Sequence, residues 1–229
     1  MNDRVRSNPR ISVNKLGEYM VASAARRRGL VRDQKRPRDF IVARYSDAYT
    51  AIREFLVSGG ADFSSLDRAI SRLETASTTS EWQEQDRQLS IEAIEAFIDL
   101  SDSLDLANFR ATATEGDAPQ LTIAGVSVSV RPELLLQGTR PDGNSTAGAI
   151  KLCIAKNSPL GIDAGHYVAT VVHQYLTDCL RPAALLEPSA CIVLDLFARE
   201  IYVAPRSFKR KRTDIEAACE EIARAWSAV

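Results

Sequence analysis

The sequence predicts an α/β (α+β) protein in which a helical N-terminal half is followed by a mixed β-sheet flanked by helices. Three observations lead there. Apolar residues recur at helical spacing as far as about residue 106, and from Phe109 the pattern changes to alternating or continuous runs rich in Val, Ile and Thr. One long helical pattern, Gly161 to Leu180, then separates the first strands from the last two. With 229 residues, 45% hydrophobic and 26% charged, the chain has ordinary globular composition and can bury a full core.

Residues 1–10 read as a polar, flexible tail. Ser12 is a candidate cap for a first helix through "SVNKLGEYMVASAARRRGLVRD", whose apolar positions Val13, Leu16, Met20, Val21 and Ala24 share one face, with Gly29 a place for it to end. A second helix, "RDFIVARYSDAYTAIREFLVSGG", stops at Gly59-Gly60, and "SSLDRAISRLETAS" and "SEWQEQDRQLSIEAIEAFIDLSDSL" give a third and a fourth. These helices make residues 11–106 a helical region packing on the core, which occupies residues 107–229. In the core, "FRATATEG", "QLTIAGVSVSVRPELLLQG" and "AGAIKLCIAK" form an antiparallel meander, separated by "EGDAP" and "RPDGNSTAG". "GIDAGHYVATVVHQYLTDCL" is a helix broken at Pro182. The strands "ACIVLDLF" and "EIYVAP" follow around "ARE", and an amphipathic helix capped by Thr213 or Asp214 closes the chain.

Charge is divided unevenly. Residues 1–44 hold twelve Lys/Arg against four acids, a net of +8, and residues 45–106 hold four against thirteen, a net of −9. "RSFKRKR" at Arg206 to Arg212 is basic again. Two positive segments can release counterions from a phosphate backbone, so Arg26, Arg27, Arg28, Arg32, Lys35, Arg36 and Arg38, with Lys209, Arg210 and Lys211, are candidate nucleic-acid contacts. Pairing of the basic and acidic blocks with each other, within the chain or between copies in a homo-oligomer, is the competing account.

Several function classes are excluded by pattern. GxSxG, GxxxxGK[ST] and GxGxxG are all missing, and the four cysteines stand far apart without CxxC spacing. His166 and His173 fall seven apart on one putative helix, which makes no metal site by itself. No apolar run is long enough to span a bilayer and the N-terminus lacks the apolar core of a leader, so no membrane partner and a cytoplasmic location are expected.

One residue breaks the apolar character of "GAIKLCIAK": Lys151, which shares a strand face with Ala149, Cys153 and Ala155. The order helix, three strands, helix, strand, with Glu133 in "VRPELLLQG", Lys151 in "GAIKLCIAK" and Gln174 or Tyr175 in "VVHQYL", resembles the PD-(D/E)XK phosphodiesterase superfamily, in its RecB-like and CRISPR-associated exonuclease branch. "ISVNKLGEYMVASAARRRGL" looks like the helix that begins many RecB-like domains. The resemblance covers roughly residues 109–204 and implies a metal-dependent nuclease acting on DNA or RNA, of the kind found in prokaryotic defence and repair. It implies Mg²⁺ or Mn²⁺ as cofactor, with Glu133 as a metal ligand, Lys151 orienting water, and Gln174 and Tyr175 assisting.

The chemistry explains the motif, since carboxylates hold the ions that activate water while an adjacent lysine orients it or offsets charge. The family's second acid stands two residues before the lysine. Here that position is Ala149, and one carboxylate holds magnesium poorly. Glu18, Asp163 and Asp142 are the acids that could complete a site. Three roles for Lys151 remain open: a catalytic lysine with a migrated acid, a phosphate-binding lysine in a degenerate nucleic-acid-binding or assembly subunit, or a lysine that snorkels to the sheet edge.

Overall fold

The five central strands alternate so regularly that they sort the core into two halves. In β6 (Ser145–Cys153), Ala149 and Cys153 face one cluster, while Ile150 and Leu152 face the other. In β7 (Leu185–Asp195), Cys191 and Val193 face the first, and Ile192 and Leu194 the second. A strand covered on both faces needs apolar residues at successive positions, which is why these two read as near-continuous runs. The structure is a computed structural model that describes residues 5–37 and 44–229.

The main sheet has the order β2-β5-β6-β7-β8, with β2 (Phe109–Ala113), β5 (Leu134–Thr139) and β6 antiparallel as the meander. β6 and β7 are parallel, joined by α6 (Gly161–Tyr175), and β8 (Glu200–Val203) adds antiparallel to β7. The middle of the predicted meander leaves this sheet. β3 (Leu121–Ile123) and β4 (Val126–Ser129) form a hairpin around Ala124-Gly125, both at positive φ, and join β1 (Arg10–Ser12) in a separate three-stranded sheet.

One face of the main sheet carries α3 (Ser46–Val57), α4 (Ser64–Thr75) and α5 (Glu81–Ser101), around Phe55, Ile94 and Phe97. Each such fully buried side chain stabilises the fold by about 1.5–3 kcal/mol. α3 ends in a Schellman turn, with Gly60 N–H donating to the Phe55 carbonyl and Gly59 at φ 101°. The opposite face carries α6, the small sheet, α1 (Val13–Val21), and α7 (Phe208–Ala228) with α2 (Ala24–Lys35) beside it. The helical N-terminal region is therefore divided between two faces rather than packed as one unit.

Three local features differ from the sequence pattern. The first predicted helix breaks in two at Ala22-Ser23: Ser23 caps α2, and Arg27 donates from Nε to the Tyr19 carbonyl (3.0 Å) and from Nη2 to that of Met20 (3.2 Å). An arginine that satisfies the last carbonyls of α1 makes the break stable. Residues 6–10 are bound into the fold, because Arg6 N–H donates to Lys35, Trp226 Nε1 donates to the Arg6 carbonyl, and β1 pairs with β4. Finally, α7 begins at Phe208, so the basic run is its first turn and not a loop before it. Phe208 against His173, with ring centroids 4.5 Å apart, fixes that start.

α6 lies close to its neighbours through two glycines. A Cβ at Gly17 of α1 would stand 2.5 Å from Val168 Cγ2, and one at Gly165 would stand 2.1 Å from the Tyr202 ring. The end of α6 widens into a π turn over Leu176–Leu180 and stops where Arg181, at φ 46°, precedes Pro182. Among the described residues no helix is long and apolar enough to cross a membrane.

Candidate functional site

β5 starts at Leu134, opposite Ile150, so the last three residues of β6 extend beyond it. The Leu152 N–H, which would otherwise lack a partner, donates to Glu133 Oε2 at 2.6 Å. The other oxygen, Oε1, accepts from Lys151 Nζ at 2.5 Å, and Nζ also donates to the Arg131 carbonyl at 3.1 Å. Arg131 itself is left-handed, at φ 42°, which turns its carbonyl back toward the lysine. Glu133 is held in turn through its backbone, donating to Ile150 and accepting from Thr114. The side chains of Lys151 and Glu133 are only 11% and 16% exposed. The two residues expected to converge do so, as a closed and largely desolvated ion pair.

The surroundings are polar on one side. Asp195, Lys151, Glu133 and Lys15 all act on Cys153, whose thiol is pushed up to about 12, first by burial and then by Asp195. Tyr49 of α3 lies within electrostatic reach of Glu133: burial first, then Glu133 and Cys153, hold its hydroxyl above the usual phenol range. Asp195 is fully buried beside Cys153 in register and accepts from Leu160 N at 2.7 Å and Ala198 N at 3.4 Å. Burial raises its pKa, while those two N–H donors pull the other way. Neither Asp195 nor Tyr49 belongs to the set of residues expected at the site. An acid inside the apolar run "CIVLDLF" is the signal that points to the first; the second has none, since α3 reads as an ordinary amphipathic helix.

The remaining candidate ligands lie elsewhere. Glu18 accepts from Lys15 Nζ at 2.7 Å and from Arg26 Nε at 2.7 Å, which ties α1 to α2. Burial would raise its pKa, but those two cations draw it below the usual carboxylate range. Asp163 is exposed in the first turn of α6, and Asp142 accepts from Asn144 N–H in the hairpin turn. Tyr175 is 2% exposed among core residues, and the Gln174 amide oxygen is buried without a partner; neither is joined by a hydrogen bond to Glu133 or Lys151. Among the described residues, no group of three or more His, Cys, Asp or Glu is placed to hold a metal ion.

The basic segments divide into two sets. Arg26 pairs with Glu18, Arg27 caps α1 and reaches Glu221 at 3.4 Å, and Lys35 donates to the carbonyls of Trp226 (2.7 Å) and Val229 (2.9 Å). Arg28, Arg32 and Arg36 are exposed, and their side chains make no hydrogen bond or ion pair among the described residues. At four-residue spacing they fall in one stripe on α2 and its C-cap. Arg38 lies outside the described residues. On α7, Lys209 and Arg210 are exposed, while Lys211 Nζ sits 3.9 Å from the centre of the Tyr167 ring. Arg212, not among the candidates, donates to Thr177 and to His173 Nδ1, both at 3.0 Å. No family model matches this chain, and no curated protein is similar enough to count as a relative.

Proposed function

We propose that the protein is a nucleic-acid-binding subunit on a PD-(D/E)XK-like core that holds a phosphate backbone without cleaving it. The observation that carries the reading is the stripe of Arg28, Arg32 and Arg36, three exposed guanidinium groups beside others consumed in holding α1, α2 and α7 together. Charges left unpaired at regular spacing are what a polyanion can neutralise, with release of its counterions. Glu133 is what speaks against cleavage. Both of its oxygens are engaged, by Lys151 and by the Leu152 N–H, and Ala149 stands where the second acid belongs.

A second reading, metal-dependent phosphodiester hydrolysis with Mg²⁺ or Mn²⁺, is favoured by the convergence of Glu133 and Lys151. The described residues do not by themselves fit such an ion, so the second carboxylate that hydrolysis needs must come from elsewhere.

Anisotropy titrations with labelled single- and double-stranded DNA and RNA, over a salt series and with or without Mn²⁺, test both readings. Binding that weakens steeply with salt, and that falls together with the salt slope when Arg28, Arg32 and Arg36 become Gln, supports the first. Absence of binding to every probe at low salt overturns both. Mn²⁺-dependent cleavage that disappears in Lys151→Ala replaces the first reading with the second.

A further inference from the structure

On the face of the sheet opposite Lys151 lies a cleft of about 570 Å³ bounded by α3, α5 and the edge strand β2. Its size is that of a small-molecule site. Four phenylalanines line it: Phe55, Phe63, Phe97 and Phe109. Phe55 meets Phe63 at 4.9 Å and Phe97 at 5.7 Å between ring centroids, and Phe63 is 37% exposed.

The charge around these rings is negative from two independent sources. α3 ends at Val57 and α5 at Ser101, so the cleft stands at the C-terminal, negative ends of two helix dipoles. Asp102 and Asp105 also line it, both exposed and neither ion-paired among the described residues. Arg110 is the one cation of the lining and makes no ion pair with either. Phe55 and Phe97 are buried behind the other two rings, so the accessible surface is that of Phe63 and Phe109; with two carboxylates and two helix C-termini it favours a soft cation over an anion.

We infer that this cleft binds an alkylammonium group, with its apolar substituents against Phe63 and Phe109 and its charge toward Asp102 and Asp105. Such a site is independent of the nucleic-acid reading and would give the protein a small organic cation as a second ligand.

Titration of the full chain with choline, with butylammonium and with 3,3-dimethylbutan-1-ol, the neutral isostere of choline, followed by amide chemical shifts, tests the inference. Expected are shifts confined to residues 55–63 and 101–111, with at least one ammonium probe binding about tenfold more tightly than the neutral alcohol. The double variant Asp102→Asn, Asp105→Asn should remove most of that preference without loss of fold, since both side chains are exposed. Phe63→Ala should weaken both ammonium probes. Equal affinity for the neutral alcohol and both ammonium probes, or no shift with either ammonium probe at a concentration about a hundredfold above a millimolar Kd, overturns the inference.

Discussion

Lys151 and Glu133 face one another across the β5–β6 pair at 2.5 Å, and the same carboxylate takes the N–H of Leu152. The glutamate thus does two jobs at the point where β5 falls short of β6. Removing only the lysine leaves a mostly buried carboxylate with half its partners, a change that costs about 3–5 kcal/mol for a buried pair. Lys151→Met should lower the urea midpoint more than the double variant Lys151→Met, Glu133→Gln, in which the amide oxygen still accepts from Leu152. With Glu133→Gln alone completing the cycle, a double-variant loss equal to the sum of the two single losses would show that the side chains are not energetically coupled.

The two sets of basic residues should respond differently to substitution. Arg27→Ala strips the caps from the end of α1, and Lys35→Ala leaves the last carbonyls of α7 unpaired, so each should lower stability by about 1–2 kcal/mol. Arg32→Ala, at an exposed position of the stripe, should change stability by less than about 0.5 kcal/mol. Thermal melts of the three variants at one salt concentration make the comparison.

His173 predicts a pH dependence. It is 5% exposed against the Phe208 ring, and since the Arg212 guanidinium can only donate, His173 Nδ1 accepts and the imidazole is neutral. Burial, and then Arg212, lower its pKa from 6.5 to about 4, against a weaker opposite pull from Asp178. The neutral form is thus favoured by folding: the contribution is complete above pH 6.5, and is lost as pH falls toward 4 while the unfolded chain protonates first. The loss amounts to at most about 3 kcal/mol. His173→Gln should flatten the urea midpoint between about pH 7 and pH 4.5 relative to the unsubstituted protein.

These elements also show how far the sequence could be read. The order of helices and strands is legible because each covered strand is a run of apolar residues and each helix carries a stripe. The departure of β3 and β4 to another sheet is not, since the alternation of "LTIAGVSVSV" fits any half-buried hairpin and says nothing of which strand lies beside it. The split between α1 and α2 is hidden for a similar reason: Ser23 and Arg27 act through a cap that exists only once the two helices meet. Lys151 is legible as a charge in a buried run that demands a partner, and Glu133 only through the resemblance of its motif order. Asp195 makes the same demand, but its partners are backbone N–H groups that no spacing reveals.

Gly165 gives a packing test. A methyl group there would overlap the Tyr202 ring, and both α6 and β8 are held by their neighbours, so Gly165→Ala should destabilise by about 1–3 kcal/mol despite the higher helix propensity of alanine. Chemical denaturation measures it. A neutral or stabilising result would mean that Tyr202 can swing away.

The thiols should be inert in the native state. Burial first pushes Cys153, Cys191 and Cys219 up to about 12, and only Cys179 is partly exposed among the four. A disulfide reagent at about pH 8 should therefore label no more than one cysteine quickly, and Cys179→Ser should abolish that phase.

The parallel pairing of β1 with β4, and the bond from Trp226 to the Arg6 carbonyl across 220 positions of sequence, set an order of events during synthesis. Helices α1 and α2 leave the ribosome before the strand that aligns β1, which comes more than a hundred residues later, and before the helix that anchors α2, which comes later still. Contacts between such distant segments form slowly because a large loop must close before any of them contributes. The N-terminal helices must therefore wait, with their apolar faces uncovered, until α7 has left the exit tunnel, so the α1, α2 and α7 side of the sheet closes late in folding.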